Sequence, residues 1–164
     1  MDQPPGPWLR DPGREVATVC PVYTIGYRQK PLSVFISQLQ DAEVDAVIDI
    51  RLRNTSHLAG YTKKDTLEYL LREGFHIAYE HCPELAPTLE IRDTYREDED
   101  WKAYEARFVP LLAERASEEV GRRILARYRA PCLLCAEETA ERCHRRLVGE
   151  YWVERLPGLR LVHL

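Results

Sequence analysis

Five short apolar runs, separated by stretches of helical period, constrain this chain more than any other feature of it. "VYTIGY" (Val22 to Tyr27), "VDAVIDIR" (Val44 to Arg51), "FHIAYE" (Phe75 to Glu80), "PCLLCA" (Pro131 to Ala136) and "LRLVHL" (Leu159 to Leu164) are β-branched, aromatic or almost continuously apolar, each about one strand long. The second and fourth do not alternate apolar with polar. Strands of that kind are buried on both faces, as in a parallel sheet covered by helices. The intervening segments supply those helices. Leu32, Phe35, Ile36 and Leu39 recur at helical spacing, and "DTLEYLLREG" runs from an N-cap at Asp65 to a stop at Gly74. Trp101, Tyr104, Phe108, Leu111 and Leu112 mark an amphipathic helix that Pro110 bends or divides. Another helix begins near Ser117, and the last follows "PCLLCA". The pattern predicts an α/β fold: a single-domain three-layer sandwich with a mainly parallel sheet of about five strands and helices on both faces.

Residues 1–15, "MDQPPGPWLRDPGRE", are proline-rich and polar and read as a flexible arm, with no basic start and apolar run of a signal peptide. Residues 16–164 then form one domain, because 164 residues bury one ordinary core. Pro83 to Asp100 is charged, contains two prolines and shows no clear period, which predicts a long excursion over one end of the domain. No segment is apolar for the length of a membrane span. A formal net charge of −4 rules out a global positive field, so any anionic partner must meet a local patch. Five cysteines, an odd number without a secretory signal, predict reduced thiols and a cytoplasmic chain.

The most reactive side chains crowd into "LLCAEETAERCHRRL" (Leu133 to Leu147). Strand periodicity puts Leu133, Cys135 and Glu137 on one face and Cys132, Leu134 and Ala136 on the other. With Thr139 as helix cap, Cys143 and His144 fall in the first turns of the next helix, facing the sheet. Asp49 and Arg51 share a face at the end of an earlier strand, and Tyr27 lies just beyond the first. Open parallel sheets bind ligands at their carboxyl ends. The expected convergent set is therefore Tyr27, Asp49, Arg51, Cys135, Glu137, Cys143, His144 and Arg145. A thiol near a helix N-terminus and beside histidine or arginine has a lowered pKa, which makes Cys143 the expected nucleophile and leaves Cys135 a thiol. Glu137, His144 and Asp49 join Cys143 in the catalytic set; Arg51, Arg145, Tyr27 and Cys135 bind substrate. No cofactor is expected, and no metal, because Cys132 and Cys135 point to opposite faces instead of sharing a tight turn. An anion-loop phosphatase is excluded too. Arg142 lies one residue too far from Cys135, and three glutamates intervene. Each residue also has a structural reading: a packed cysteine, a hydrogen-bonded histidine, an Asp49–Arg51 ion pair, arginines on a solvated helix. It is their coincidence at three strand ends that points to a site.

"YTIGY", "DIR", "YEHCPEL", "DWKAYEARF" and "LLCAEETAERCHRRL", in that order, resemble the bacterial and archaeal family called domain of unknown function 488. The resemblance runs from about Val22 to Trp152. Carried over position by position, it implies that the family's characteristic polar residues are Asp49, Arg51, Cys135, Glu137, Cys143, His144 and Arg145. "LRNTSHLAGYTKKD" departs from the family's usual turn after the aspartate and arginine, so the resemblance speaks for the site and not for its ligand.

Three functional classes fit. In the first, an enzyme acts on an anionic, nucleotide or nucleic-acid-like substrate held by Arg51, Arg145 and Lys63 or Lys64, with Tyr27, Tyr61 and Tyr79 available to stack a base. The second is a non-catalytic module that binds nucleic acid or protein. The third is a thiol redox sensor, with Cys135 and Cys143 within disulfide reach. A small anionic ligand or nucleic acid is the expected partner and a membrane is not; oligomeric state is left open.

Overall fold

The computed structural model describes residues 19–164, so the expected arm at 1–15 lies outside the described residues. Five strands form one sheet: β1 (Cys20–Gly26), β2 (Ala46–Asp49), β3 (Ala78–His81), β4 (Pro131–Cys135) and β5 (Leu159–His163). Their order is β3-β2-β4-β1-β5, and every neighbouring pair is parallel. The four residues of β2 and five of β4 are buried throughout, as their unalternating apolar sequence requires.

Six α-helices are present among the described residues, and five of them cover the sheet. On one face, α1 (Leu32–Asp41) and α2 (Lys64–Tyr69) set Phe35, Ile36, Leu39 and Leu67 against Ile25, Val47, Cys132 and Leu134. On the other, α4 (Trp101–Glu114), α5 (Ser117–Leu125) and α6 (His144–Arg155) set Phe108, Leu112, Ile124, Val148 and Trp152 against Ile48 and Leu133. Each such side chain contributes about 1.5–3 kcal/mol by leaving water. The strand faces of residues 132–134 are those that period-two alternation predicts.

The path of the connections positions the site. From β1 the chain turns to α1 on one face of the sheet. From β4, the neighbour of β1, it turns to α6 on the other. Divergent connections at the carboxyl ends of adjacent strands open a crevice between them.

Several expected boundaries move. The excursion at 83–100 is instead a short 3₁₀ turn (Pro83–Leu85) followed by α3 (Leu89–Asp98). Thr88 caps α3 through its side-chain oxygen, which accepts from the Ile91 amide at 3.2 Å, and Glu99 ends it in the left-handed conformation. No residue of α3 is fully buried; only Ile91 and Tyr95, four apart, pack against the core, so its apolar period is almost silent. At α2 the N-cap is Lys63 and not Asp65, which lies in the first turn, and the helix runs on through a π turn to Gly74. β3 starts at Ala78 and not Phe75, because Phe75 caps that turn and His76 takes a positive φ of 55°. α4 runs unbroken through Pro110: Phe108 and Leu112, on either side, are fully buried, and that packing outweighs the missing backbone donor.

Candidate functional site

The stretch from Cys135 to Arg145 follows a path that the sequence does not announce. Thr139 caps no helix. α6 begins at His144, and Cys143 occupies its N-cap in an extended conformation (φ −135°, ψ 138°). Residues 136–143 are turns, one closed by the Cys143 amide on the Ala140 carbonyl at 3.2 Å.

Arg145 determines this path. Its side chain, expected to hold an anion, is instead 1% exposed and lies behind the cleft, not in its wall. Nη1 donates to the Glu137 carbonyl at 2.6 Å, Nη2 to the Glu138 carbonyl at 3.2 Å and Nε to Thr24 Oγ1 at 3.3 Å. These bonds draw the turn onto β1, where a Cβ on Gly26 would stand 1.7 Å from the Glu137 carbonyl oxygen. Only glycine allows that approach. The guanidinium is satisfied by carbonyls and a hydroxyl, and among the described residues no carboxylate lies within ion-pair distance of it.

Two strands then meet through His144. Its Nε2 lies 2.9 Å from the Ile50 carbonyl and its Nδ1 3.4 Å from Cys135 Sγ. A carbonyl only accepts, so Nε2 carries the hydrogen. Nδ1 is left to accept from the Cys135 thiol, or to donate to its thiolate once protonated. Phe108 meets the imidazole edge-on at 5.9 Å and fixes the ring plane.

Cys135 is also the focus of other donors. The Cys143 thiol and the backbone amides of Glu137 and Ala136 surround its sulfur and favour its anionic form. Together with the Arg145 charge they hold its pKa below the ordinary thiol value, against the opposing effect of burial. Cys143 goes the other way: burial pushes its thiol well up, and the bond it gives to Cys135 adds to that. These directions run opposite to the expected order of an acidic Cys143 and an inert Cys135. At the N-cap the Cys143 side chain accepts no helix amide, for the helix has no side-chain cap bond.

Cys135 Sγ, Cys143 Sγ and a ring nitrogen of His144 lie within 4.8 Å of one another, a set able to hold a metal ion. Cys132, on the opposite face, belongs to the other core, and burial raises its pKa.

Asp49 and Arg51 form the second cluster, and it is buried. Arg51 Nη2 donates to Asp49 Oδ2 at 2.6 Å and Nε to Oδ1 at 2.8 Å. Tyr79 and Asn54 also donate to Oδ2, at 2.6 and 3.1 Å. Burial raises the Asp49 pKa, but these bonds more than offset it and leave the carboxyl below its usual value. Arg51 further bonds Thr62 and stands over the Tyr27 ring at 5.1 Å. Asp49 is saturated by its partners, so its carboxylate has a structural occupation; Arg51 and Tyr27 reach the cleft wall.

The cleft has a volume of about 490 Å³, with Cys135, Cys143 and His144 in its lining. Six arginines also line it, Arg28, Arg51, Arg53, Arg92, Arg96 and Arg142, against one acid, Glu137. Glu137, expected in the catalytic set, is half exposed at the rim and pairs with Arg28 at 3.0 Å. Arg53 and Arg142 are exposed and have no carboxylate within ion-pair distance among the described residues. Tyr95, Trp101 and Tyr104 form an aromatic wall, the last two stacked at 4.7 Å. Periodicity alone could not have found Arg92, Tyr95 and Arg96, which need α3 to be recognised as a helix. Tyr61, Tyr79, Lys63 and Lys64 are not brought in: Tyr61 packs on Phe35, and Tyr79 is bonded to Asp49.

No helix among the described residues is long and apolar enough to cross a membrane. Residues 31–152, more than half of the chain, match the family model described as Domain of unknown function DUF488. No curated protein and no solved structure matches the chain.

Proposed function

The chain belongs to the DUF488 family, whose description assigns no activity, and from its site we propose an enzyme that acts on an anionic, nucleotide-like substrate through Cys135 and His144. One observation carries this reading: in the cleft a histidine whose Nε2 is bonded to the Ile50 carbonyl sets its free nitrogen 3.4 Å from the Cys135 sulfur. Nucleophile, base and orienting group in line are the parts of covalent catalysis.

In the proposed reaction His144 Nδ1 takes the thiol proton, and Cys135 Sγ bonds to the electrophilic centre of the substrate. The bond to the leaving group breaks, and that group receives the proton from Nδ1. Water activated by the same nitrogen then cleaves the thio-adduct and restores the thiol. The Ala136 and Glu137 amides and the Cys143 thiol hold the sulfur in its anionic form. Cys143, first expected as the nucleophile, becomes the donor that supports it. Arg53 and Arg142 attract and hold the substrate anion, and the face of Trp101 or Tyr95 suits a base.

The test is competitive labelling of the native full-length chain with iodoacetamide at neutral pH, read for each cysteine by peptide mass spectrometry. Cys135 should label at least tenfold faster than Cys132 or Cys143, and a mononucleotide or short single-stranded oligonucleotide should slow it. Uniform slow labelling would make the cluster a folding element of a non-catalytic binding module.

A further inference from the structure

We infer that Cys135, Cys143 and His144 form a binding site for one soft divalent cation of the zinc type, with its fourth coordination position open to the cleft. The inference uses the atoms of the site read above as a thiol enzyme and goes beyond that reading, since it assigns those atoms a second ligand.

Three observations support it independently of the proposed reaction. The three ligand atoms lie within 4.8 Å of one another with no backbone rearrangement. For bonds of about 2.3 Å to sulfur and 2.0–2.1 Å to nitrogen, a tetrahedral sulfur-to-nitrogen edge is roughly 3.6 Å; Cys135 Sγ and His144 Nδ1 are 3.4 Å apart. The bond from Nε2 to the Ile50 carbonyl then places the lone pair of His144 on Nδ1, the nitrogen that faces Cys135 Sγ. A histidine whose second nitrogen is tied to a carbonyl is the usual support of a metal ligand.

The donor set also selects the ion. Two thiolates and an imidazole are too soft for magnesium or calcium and suit zinc or cobalt. Two thiolates neutralise a divalent charge, and the guanidinium of Arg145 behind the turn favours keeping both in anionic form. Binding forms two metal–sulfur bonds and one metal–nitrogen bond and releases two thiol protons to solvent. Among the described residues no fourth protein ligand belongs to the set, and Glu137 is turned to Arg28, so the remaining position takes water or an incoming anion. A bound ion occupies the electron pair with which Cys135 would attack. Metal and covalent chemistry therefore exclude each other, and the ion acts as a reversible block.

The experiment is titration of the reduced, metal-free full-length chain with cobalt(II), followed by zinc(II). One cobalt per chain is expected, with a thiolate-to-cobalt charge-transfer band and the strong visible absorption of four-coordinate cobalt, both abolished by stoichiometric zinc. Zinc should lower iodoacetamide labelling of Cys135 and Cys143 at least tenfold without changing that of Cys20. Cys132→Ser should bind as the parent does, and Cys143→Ser should bind at least tenfold more weakly. Absence of a stoichiometric band in the parent chain overturns the inference whether or not the variants fold. A band that persists unchanged in folded Cys143→Ser overturns it as well. The two readings fail separately: a chain that binds no cobalt but labels rapidly at Cys135 keeps the enzyme reading, and one that binds cobalt but resists labelling when metal-free loses it.

Discussion

His144 and Ile50, 94 positions apart in the chain, are joined by a 2.9 Å hydrogen bond from Nε2 to the backbone carbonyl. That bond settles which ring nitrogen carries the hydrogen and so which one faces Cys135. A residue that α6 would place at an ordinary first helical position is oriented with Nδ1 toward Cys135 because β2 ends where it does.

His144→Gln should remove the basic nitrogen facing Cys135 while keeping a side chain of similar reach. Iodoacetamide labelling of Cys135 should fall at least tenfold, in line with the 10²–10⁴-fold scale of positioned proton transfer. The melting temperature should change little. An unchanged labelling rate in a folded variant would show that Nδ1 does not act on the sulfur.

Asp49→Ala should cost about 3–5 kcal/mol of stability, because it leaves the Arg51 guanidinium buried without its carboxylate. Urea unfolding followed by circular dichroism measures it. Asp49→Asn should be milder, since the amide can still accept from Tyr79 or Arg51.

The same pair sets an acid limit. The Asp49 pKa is lowered in the folded chain, so its contribution to stability is complete above the unfolded value near about 3.9 and is lost as pH falls through the lower folded value. The parent chain should lose melting temperature below about pH 4 more steeply than Asp49→Asn, and parallel melting curves for the two would remove Asp49 as the cause.

Gly26→Ala should disturb the site from a strand that bears none of its reactive groups. The new Cβ meets the Glu137 carbonyl, so the turn that points the Ala136 and Glu137 amides at Cys135 must move. A loss at the upper end of the overpacking range of about 1–3 kcal/mol is expected, with slower labelling of Cys135. Restored labelling with an unchanged melting temperature would mean that the turn has slack.

Arg53→Ala and Arg142→Ala should leave stability within about 0.5 kcal/mol, as exposed substitutions do, yet weaken binding of a short oligonucleotide several-fold and flatten its salt dependence. Arg145→Met should do the reverse to the fold: it removes the buried guanidinium that ties the Glu137 and Glu138 carbonyls to the turn and lowers the melting temperature markedly. Isothermal titration beside thermal melting separates the two classes of arginine.

Local chemistry alone specified much of this protein. Runs such as "VDAVIDIR" and "PCLLCA" have no polar face to offer water, so they must be buried strands of a helix-covered parallel sheet. The period of two separates Cys132 from Cys135, and the carboxyl ends of the strands mark the location of Asp49, Arg51, Cys135 and His144. What the sequence did not determine is governed by contacts between distant residues. α3 is barely visible because only Ile91 and Tyr95 touch the core, and with it went Arg92 and Arg96 of the cleft. Arg145 looks like one more helix cation until the carbonyls of Glu137 and Glu138 draw it inward and bend the turn below them. The order of the two thiols follows from that bend, because a sulfur's acidity depends on which donors reach it. Periodicity describes the faces of regular elements, whereas the path of a turn is chosen by the tertiary partners that satisfy its backbone.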